Sequence, residues 1–362
     1  MAPTYRRVVI KLGTAVATRP GGHLALGRLG ALAETVHQLR GMGIECLVVS
    51  SGAVGLGAQI LGFASRPRSV VDRQACAAAG QGALIRLYDE LLGRLGETTA
   101  QVLLTEDDFL HREQYLNVHA TLERLLALGA VPVLNENDTV STAEIALRTG
   151  EVFGDNDRLS ALVSAGIDAD LLVMLTNVDG VYTHPPDHPD ARLVQTFEEG
   201  TSITFGSQSE LGRGGMQSKI RAAGLAARCG VHAVIASGDD PGVVLGFVQG
   251  DTSHGTHFLA SPRGSKRQRW LAFATAPEGI IEVNAGAREA LLARDASLLP
   301  VGVTAVHGSF PAGTVVAIRE GGKVFARGIC GSSSEECRQL VGQAGKRPLV
   351  HRNDIVQIGG LP

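Results

Sequence analysis

Lysine is scarce over most of this chain: residues 1–262 hold eighteen arginines but only two lysines, Lys11 and Lys219. Each stands beside glycines, in VVIKLGT (8–14) and GRGGMQSK (212–219). An ammonium is a compact charge that turns freely and fits a crowded anion site where the planar fork of arginine does not. Lys11 follows Val8, Val9 and Ile10 in a run that should be buried, and an unpaired ammonium there is expensive, so it needs an anionic partner. Around Lys219, the glycines Gly212, Gly214 and Gly215 let backbone amides approach phosphate oxygens. A helix beginning near Met216 would aim its positive end at the same oxygens, with Lys219 about one turn inside. Lys219 follows Ser218 rather than a glycine and precedes Ile220, so the stretch departs from the Walker pattern and a P-loop NTPase is not indicated. Two cations closing on one migrating phosphoryl group supply what that reaction chiefly requires, alignment and neutralisation of charge.

Two further segments concentrate acids and amides, NEND (135–138) and GDND (154–157). Solvated turns are the ordinary explanation of such composition. Neither has the spaced ligands and terminal glutamate of a calcium loop. Together they suit a small molecule carrying both an amino group and a carboxylate, with Asp138 pairing with the ammonium and Asn156 donating to the carboxylate. In SSGAVGLG (50–57) the glycines match a dinucleotide fingerprint only loosely, and a helix N-terminus whose amides and Ser51 hydroxyl hold an anion is better supported. None of these loops contains a histidine, and the eleven histidines are scattered in stretches such as THPPDHPD (183–190). A carboxylate acceptor, already ionised at neutral pH, would need no general base. Asp157 is then the anion that orients Lys11 and Lys219, with a helix N-cap as its structural alternative.

The elements that must position these groups are short apolar runs alternating with helical patterns. RVVIKLG, ECLVVSSG, TAQVLLT, AVPVLNEND, ADLLVMLTN and HAVIAS have the continuous valine and leucine content of strands buried on both faces. Stretches such as LGRLGALAETVHQLRGMG (26–43) have helix-like spacing. The alternation predicts an α/β fold, a three-layer αβα sandwich around a mostly parallel sheet. In such sheets ligands sit at the carboxyl ends of strands. Four strand ends here are polar or glycine-rich: Lys11 to Thr14 (including Gly13), Ser50 to Gly52, Asn135 to Asp138, and Thr176 with Asn177.

Charge divides the chain. Its formal net charge of -3 comprises -8 over residues 1–262 and +5 over 263–362, which suggests two domains, 1–262 and 273–362, joined by a linker at 263–272; the short strands of the second make it β-rich. The join falls in SPRGSKRQRW (261–270). The five cysteines form neither a Cys-x-x-Cys pair nor a framework, which favours reduced thiols, and no signal-like or membrane-spanning apolar run occurs, so a cytoplasmic location is expected.

The order VVIKLGT, VVSSGAV, VPVLNENDTV, FGDNDRLSAL, LLVMLTNVDGVY and GRGGMQSK resembles the glutamate 5-kinase family of the amino acid kinase superfamily, and the likeness covers essentially the whole chain. The resemblance implies transfer of the γ-phosphoryl of ATP, with Mg2+, to the side-chain carboxylate of L-glutamate, the first step of proline biosynthesis. By it, Lys11, Lys219 and Asp157 form the transfer group, and Ser51, Gly52, Asn135, Asp138 and Asn156 hold glutamate. ATP would lie against Lys11, Gly13, Thr14, Thr176, Asn177 and the stretch Arg213, Gly214, Gly215, Met216, Gln217, Ser218 and Lys219. The chain departs from the family pattern at Asn177, at Arg213 and in a longer connection at 146–153. An N-acetylglutamate kinase is the runner-up, although Asp138, able to pair with a free ammonium, argues against a blocked amine. The C-terminal pattern ASLLPVGVTAVHGSFPAGTVVAI followed by FARGI is similar to a PUA domain, read here as short strands between glycine turns. A structural or regulatory role is favoured for it; the other class of reading, an RNA-associated protein with a kinase-like scaffold, would use its positive charge. The family likeness further implies a homo-oligomer, dimer or tetramer, with proline as a feedback inhibitor.

Overall fold

A computed structural model describes residues 5–19, 23–65, 67–110, 112–140, 155–198, 200–204, 215–261, 277–293, 296–345 and 347–357. The chain divides into two units, one of Met1–Asp108 with Glu113–Arg263 and one of Gly264–Pro362 with Phe109–Arg112.

The larger unit is built on a seven-stranded sheet. Its strands are β1 (Arg7–Leu12), β2 (Glu45–Val49), β3 (Thr98–Leu104), β4 (Ala130–Glu136), β5 (Leu171–Thr176), β6 (His232–Ser237) and β7 (Thr256–Phe258), in the order β3-β4-β2-β1-β5-β6-β7. All neighbours run parallel except β7, which lies antiparallel on β6 and which the apolar runs did not reveal. β1 is central, with Lys11 level with Val49 on one side and Met174 on the other. Because side chains alternate across a strand, Val8, Ile10 and Leu12 share one face. They enter a core with Leu29, Leu32 and Val36 from the helix Leu26–Gly41 and Leu84, Tyr88 and Leu92 from the helix Val70–Gly93. Val9 and Lys11 therefore point to the opposite face, where the helices Asp155–Gly166 and Met216–Arg228 lie. The second of these buries Lys219, Ala222, Ala223 and Ala226, the spacing of one helical face, and its small residues let the helix sit close to its neighbours.

Two helices on the first face pack unusually tightly. In Ala53–Ile60 and Val70–Gly93, a Cβ added at Gly57 would stand 1.7 Å from the Cys76 carbonyl oxygen, and one at Gly80 would stand 1.9 Å from that of Ala53. The helix Ala53–Ile60 starts from Gly52, whose φ of 113° lies in the left-handed region that favours glycine.

The smaller unit holds a five-stranded sheet of β8 (Gly279–Val283), β9 (Val303–His307), β10 (Val315–Glu320), β11 (Lys323–Cys330) and β12 (Val350–Gln357), ordered β12-β11-β10-β8-β9. β8 and β10 run parallel and the remaining pairs antiparallel, over a core of Ile281, Val303, Phe310, Val316, Ile318 and Leu349. Beside the short strands stand two helices that the sequence reading did not name, Ala285–Ala293 and Ser334–Leu340. The second is fixed by a capping box, in which the Ser333 hydroxyl accepts from the Glu336 amide and the Glu336 carboxylate accepts from the Ser333 amide. All five cysteines are buried and unbridged. Among the described residues no helix is long and apolar enough to cross a membrane.

Neighbouring glycines of one helix should respond oppositely to the same change. Gly80→Ala must force the two helices apart and is expected to cost about 1–3 kcal/mol. Gly82 has nothing within 4 Å of an added Cβ, so Gly82→Ala should stabilise by about 0.5–1 kcal/mol through helix propensity. Urea titrations of the two variants beside wild type check both signs.

Candidate active site

Four adjacent strands, β4, β2, β1 and β5, end on the same edge of the sheet, and their ends carry Asn135, Ser51, Lys11 and Thr176. The segment NEND lies at a strand end as expected, whereas GDND, taken above as a loop, opens a helix. Asn135 and Glu136 are the last residues of β4, and Asn156 and Asp157 stand in the first turn of the helix Asp155–Gly166. Consecutive helical residues project about 100° apart, so these two side chains serve different neighbours.

Asp157 faces the cations. Its Oδ1 lies 2.5 Å from Lys11 Nζ, its Oδ2 lies 3.2 Å from Lys219 Nζ, and Oδ2 also accepts the Ser218 hydroxyl at 3.0 Å. Three charged groups thus meet almost without water: Lys11 is 4% exposed, Lys219 7% and Asp157 2%. Burial presses the Lys11 ammonium below its ordinary value; Asp157 opposes this and Lys219 reinforces it. Burial also works against the Asp157 carboxylate, but Lys11 and Lys219 outweigh it and hold the group below the usual carboxylate range. Lys219 occupies a helical first turn, where a cation opposes the backbone dipole, so its position is maintained by Asp157 and not by helix formation.

Asn156 faces a polar network. Its Nδ2 donates to Ser51 Oγ at 3.1 Å and to Asn135 Oδ1 at 3.0 Å, and its Oδ1 accepts the Glu136 amide at 3.2 Å. Asn135, 2% exposed, donates through Nδ2 to Gln81 Oε1 at 2.6 Å. Gln81 was not among the expected residues. The signal for it in the sequence is an amide between Gly80 and Gly82, and the close approach at Gly80 is what brings it to Asn135.

The other expected residues distribute around this edge. Gly13 donates its amide to the Leu175 carbonyl at 3.0 Å, and a Cβ added there would stand 3.8 Å from Lys11 Nζ. Thr14 and Asn177 are exposed, while Thr176 is 5% exposed and its hydroxyl donates to Asn177 Oδ1 at 3.3 Å. Asp138 is half-buried in the turn after β4. Met216, Gln217 and Ser218 open the helix that carries Lys219. Gly215, its N-cap, has a φ of -70° and nothing within 4 Å of an added Cβ, so its own backbone does not require glycine. Arg213, Gly214 and the 146–153 connection lie outside the described residues.

Asp157→Asn should leave two buried ammonium groups without their shared carboxylate and cost about 3–5 kcal/mol in urea unfolding. Lys11→Met combined with Asp157→Asn should cost less than the sum of the single changes, because the groups couple directly. The pH dependence follows from the shifts. Asp157 contributes stability that is present above its unfolded value of 3.8 and lost as pH falls through the lower folded value. For Lys11 the unfolded chain binds more protons between the depressed folded value and 10.5, so its contribution to stability rises with pH across that window.

With this geometry in place, comparison with known proteins is informative. The model of the amino acid kinase family matches residues 6–237, and that of the PUA domain matches residues 279–351. A glutamate 5-kinase of Trichormus variabilis is 42% identical over 97% of this chain and 99% of its own length. One of Bifidobacterium longum is 41% identical over 97% and 95% of the two chains, and one of Myxococcus xanthus 42% identical over 97% and 96%. The chain belongs to the amino acid kinase family, within its glutamate 5-kinase group that carries a C-terminal PUA domain.

Proposed function

We propose that the protein transfers the γ-phosphoryl group of ATP to the side-chain carboxylate of L-glutamate, giving L-glutamyl 5-phosphate, the first step of proline biosynthesis. The observation that carries this reading is the meeting of Lys11 and Lys219, from opposite parts of the chain, on the two oxygens of one buried carboxylate. Full-length similarity to glutamate 5-kinases supports the choice of substrate.

The γ-carboxylate of glutamate attacks the γ-phosphorus, the bond to the β-phosphate oxygen breaks, and ADP leaves. Charge spreads over the equatorial oxygens during transfer, and Lys11 and Lys219 neutralise it from either end. Asp157 keeps both ammonium groups aimed at one point and takes no proton. Ser51, Gly52, Asn135, Asp138 and Asn156 hold the amino acid, with Asp138 toward its ammonium. Gly13, Thr14, Thr176, Asn177 and residues 213–219 bind ATP. The described residues contain no converging group of three or more His, Cys, Asp or Glu side chains, and both Asp157 oxygens face ammonium groups, so they do not form a protein cage for a divalent ion. Magnesium belongs to the proposal as the ion carried on the phosphates of ATP. A cytoplasmic location, assembly into dimers or tetramers, and inhibition by proline complete the reading, with a structural or regulatory PUA domain favoured over an RNA-binding one.

ATP consumption that depends on L-glutamate, with the acyl phosphate trapped by hydroxylamine as its hydroxamate, tests the proposal; turnover with N-acetylglutamate in place of glutamate would replace it. Lys219→Arg keeps the charge but should lose most of kcat, about a hundredfold, since the fork cannot occupy the same position. Because Lys11 must be charged and its ammonium is pressed below 10.5, kcat/KM for ATP should fall on the alkaline side at a pH below that of an ordinary lysine.

A further inference from the structure

The hydrogen bonds linking Ser51, Asn156, Asn135 and Gln81 have a direction, and backbone chemistry sets it. A backbone N–H can only donate, so the Glu136 amide, 2.9 Å from Asn135 Oδ1 and 3.2 Å from Asn156 Oδ1, identifies both atoms as oxygens. The Nδ2 groups then point the other way. Both hydrogens of Asn156 Nδ2 are engaged, one with Asn135 Oδ1 and one with Ser51 Oγ. Asn135 Nδ2 needs an acceptor within a nearly dry site, and Gln81 Oε1 provides it at 2.6 Å.

The consequence falls on Ser51. Its oxygen already accepts from Asn156, so its own hydrogen is left to donate, and among the described residues no side chain or carbonyl accepts it. Ser51 is 6% exposed and follows the end of β2, on the edge of the sheet where the four strand ends meet, so this hydroxyl hydrogen is buried beside them. That hydrogen matches a negatively charged oxygen. Asn156 precedes Asp157 in the same helical turn, which sets this donor beside the pair of ammonium groups.

We propose that Gln81 is a positioning residue: by accepting from Asn135 Nδ2 it holds in place the relay whose polarity the Glu136 amide sets, and through Asn135 and Asn156 it keeps Ser51 where its hydroxyl hydrogen meets a carboxylate of the bound amino acid. Asn156 then serves the substrate through Ser51 and not by its own amide. The proposal rests on the glutamate kinase reading and deepens it. It assigns a task to a helix, Val70–Gly93, that contributes none of the residues the sequence pointed to.

The test compares wild type with Gln81→Met, which preserves length and removes the acceptor, and with Gln81→Ala, which admits water. Steady-state rates are measured with L-glutamate and ATP varied separately. The expected result is a KM for glutamate raised about tenfold in Gln81→Met, with kcat within about twofold and KM for ATP unchanged. Asn135→Ala should raise KM for glutamate as well, and the double variant should be no worse than Asn135→Ala alone, since Gln81 acts through Asn135. An unchanged KM for glutamate in an active Gln81→Met enzyme would overturn the relay and leave the kinase reading intact. A wild-type enzyme without glutamate-dependent turnover would overturn both. Loss of cooperative melting in both Gln81 variants would make Gln81 a packing residue and likewise overturn the proposal.

Discussion

One carboxylate held between two ammonium groups organises the larger unit. Asp157 meets Lys11 through one oxygen and Lys219 through the other, and it does so with only 2% of its own surface exposed. Three such charges are costly to bury, and a buried ion cluster is weak evidence for stability in itself. Its value lies in specificity of place. The cluster ties a strand from the beginning of the chain to the distant helices Asp155–Gly166 and Met216–Arg228, so the point where the cations converge is defined by three separate elements.

The fold supplies this convergence through simple periodicities. Alternation along β1 sends Lys11 to the face opposite Ile10 and Leu12, and the 3.6-residue repeat of Met216–Arg228 puts Lys219 in line with Ala222, Ala223 and Ala226. The first turn of Asp155–Gly166 then separates two tasks by one residue. Asn156 reaches toward β2 and β4 while Asp157 reaches toward β1 and Met216–Arg228, which places a polar amide network directly beside a charged one.

Much of this was legible from residue types. Two lysines in a lysine-poor stretch, each beside glycine, marked themselves, and Val8 to Ile10 before Lys11 announced that its charge would be buried. The continuous apolar strands gave the parallel sheet because burial on both faces leaves no polar alternation. What stayed hidden depended on distance through space. Asn and Asp favour turns, so local composition cast Asp157 as a residue between loops or a helix cap, whereas it sits within the first turn of a helix; Asn135, read at a strand end, closes β4. Gln81 gave no periodic signal, because its importance comes from how near Gly57 and Gly80 let two helices approach. The glycine at 215 illustrates the reverse: its conformation is open to any residue, so its type was more suggestive than its backbone. In the smaller unit the short helices Ala285–Ala293 and Ser334–Leu340 were passed over in a reading dominated by strands and glycine turns.

The central place of β1 bears on how the protein is made. One edge of that strand pairs with β2, which follows soon after it, but the other pairs with β5, which begins only at Leu171. During synthesis, at about 5–20 residues per second, the β1 edge that β5 will occupy waits for roughly ten seconds or more without its native partner. An open strand edge beside apolar side chains is a template for pairing with other chains. Emerging copies on one messenger are therefore exposed to mutual association through the same strand that, once enclosed, carries Lys11.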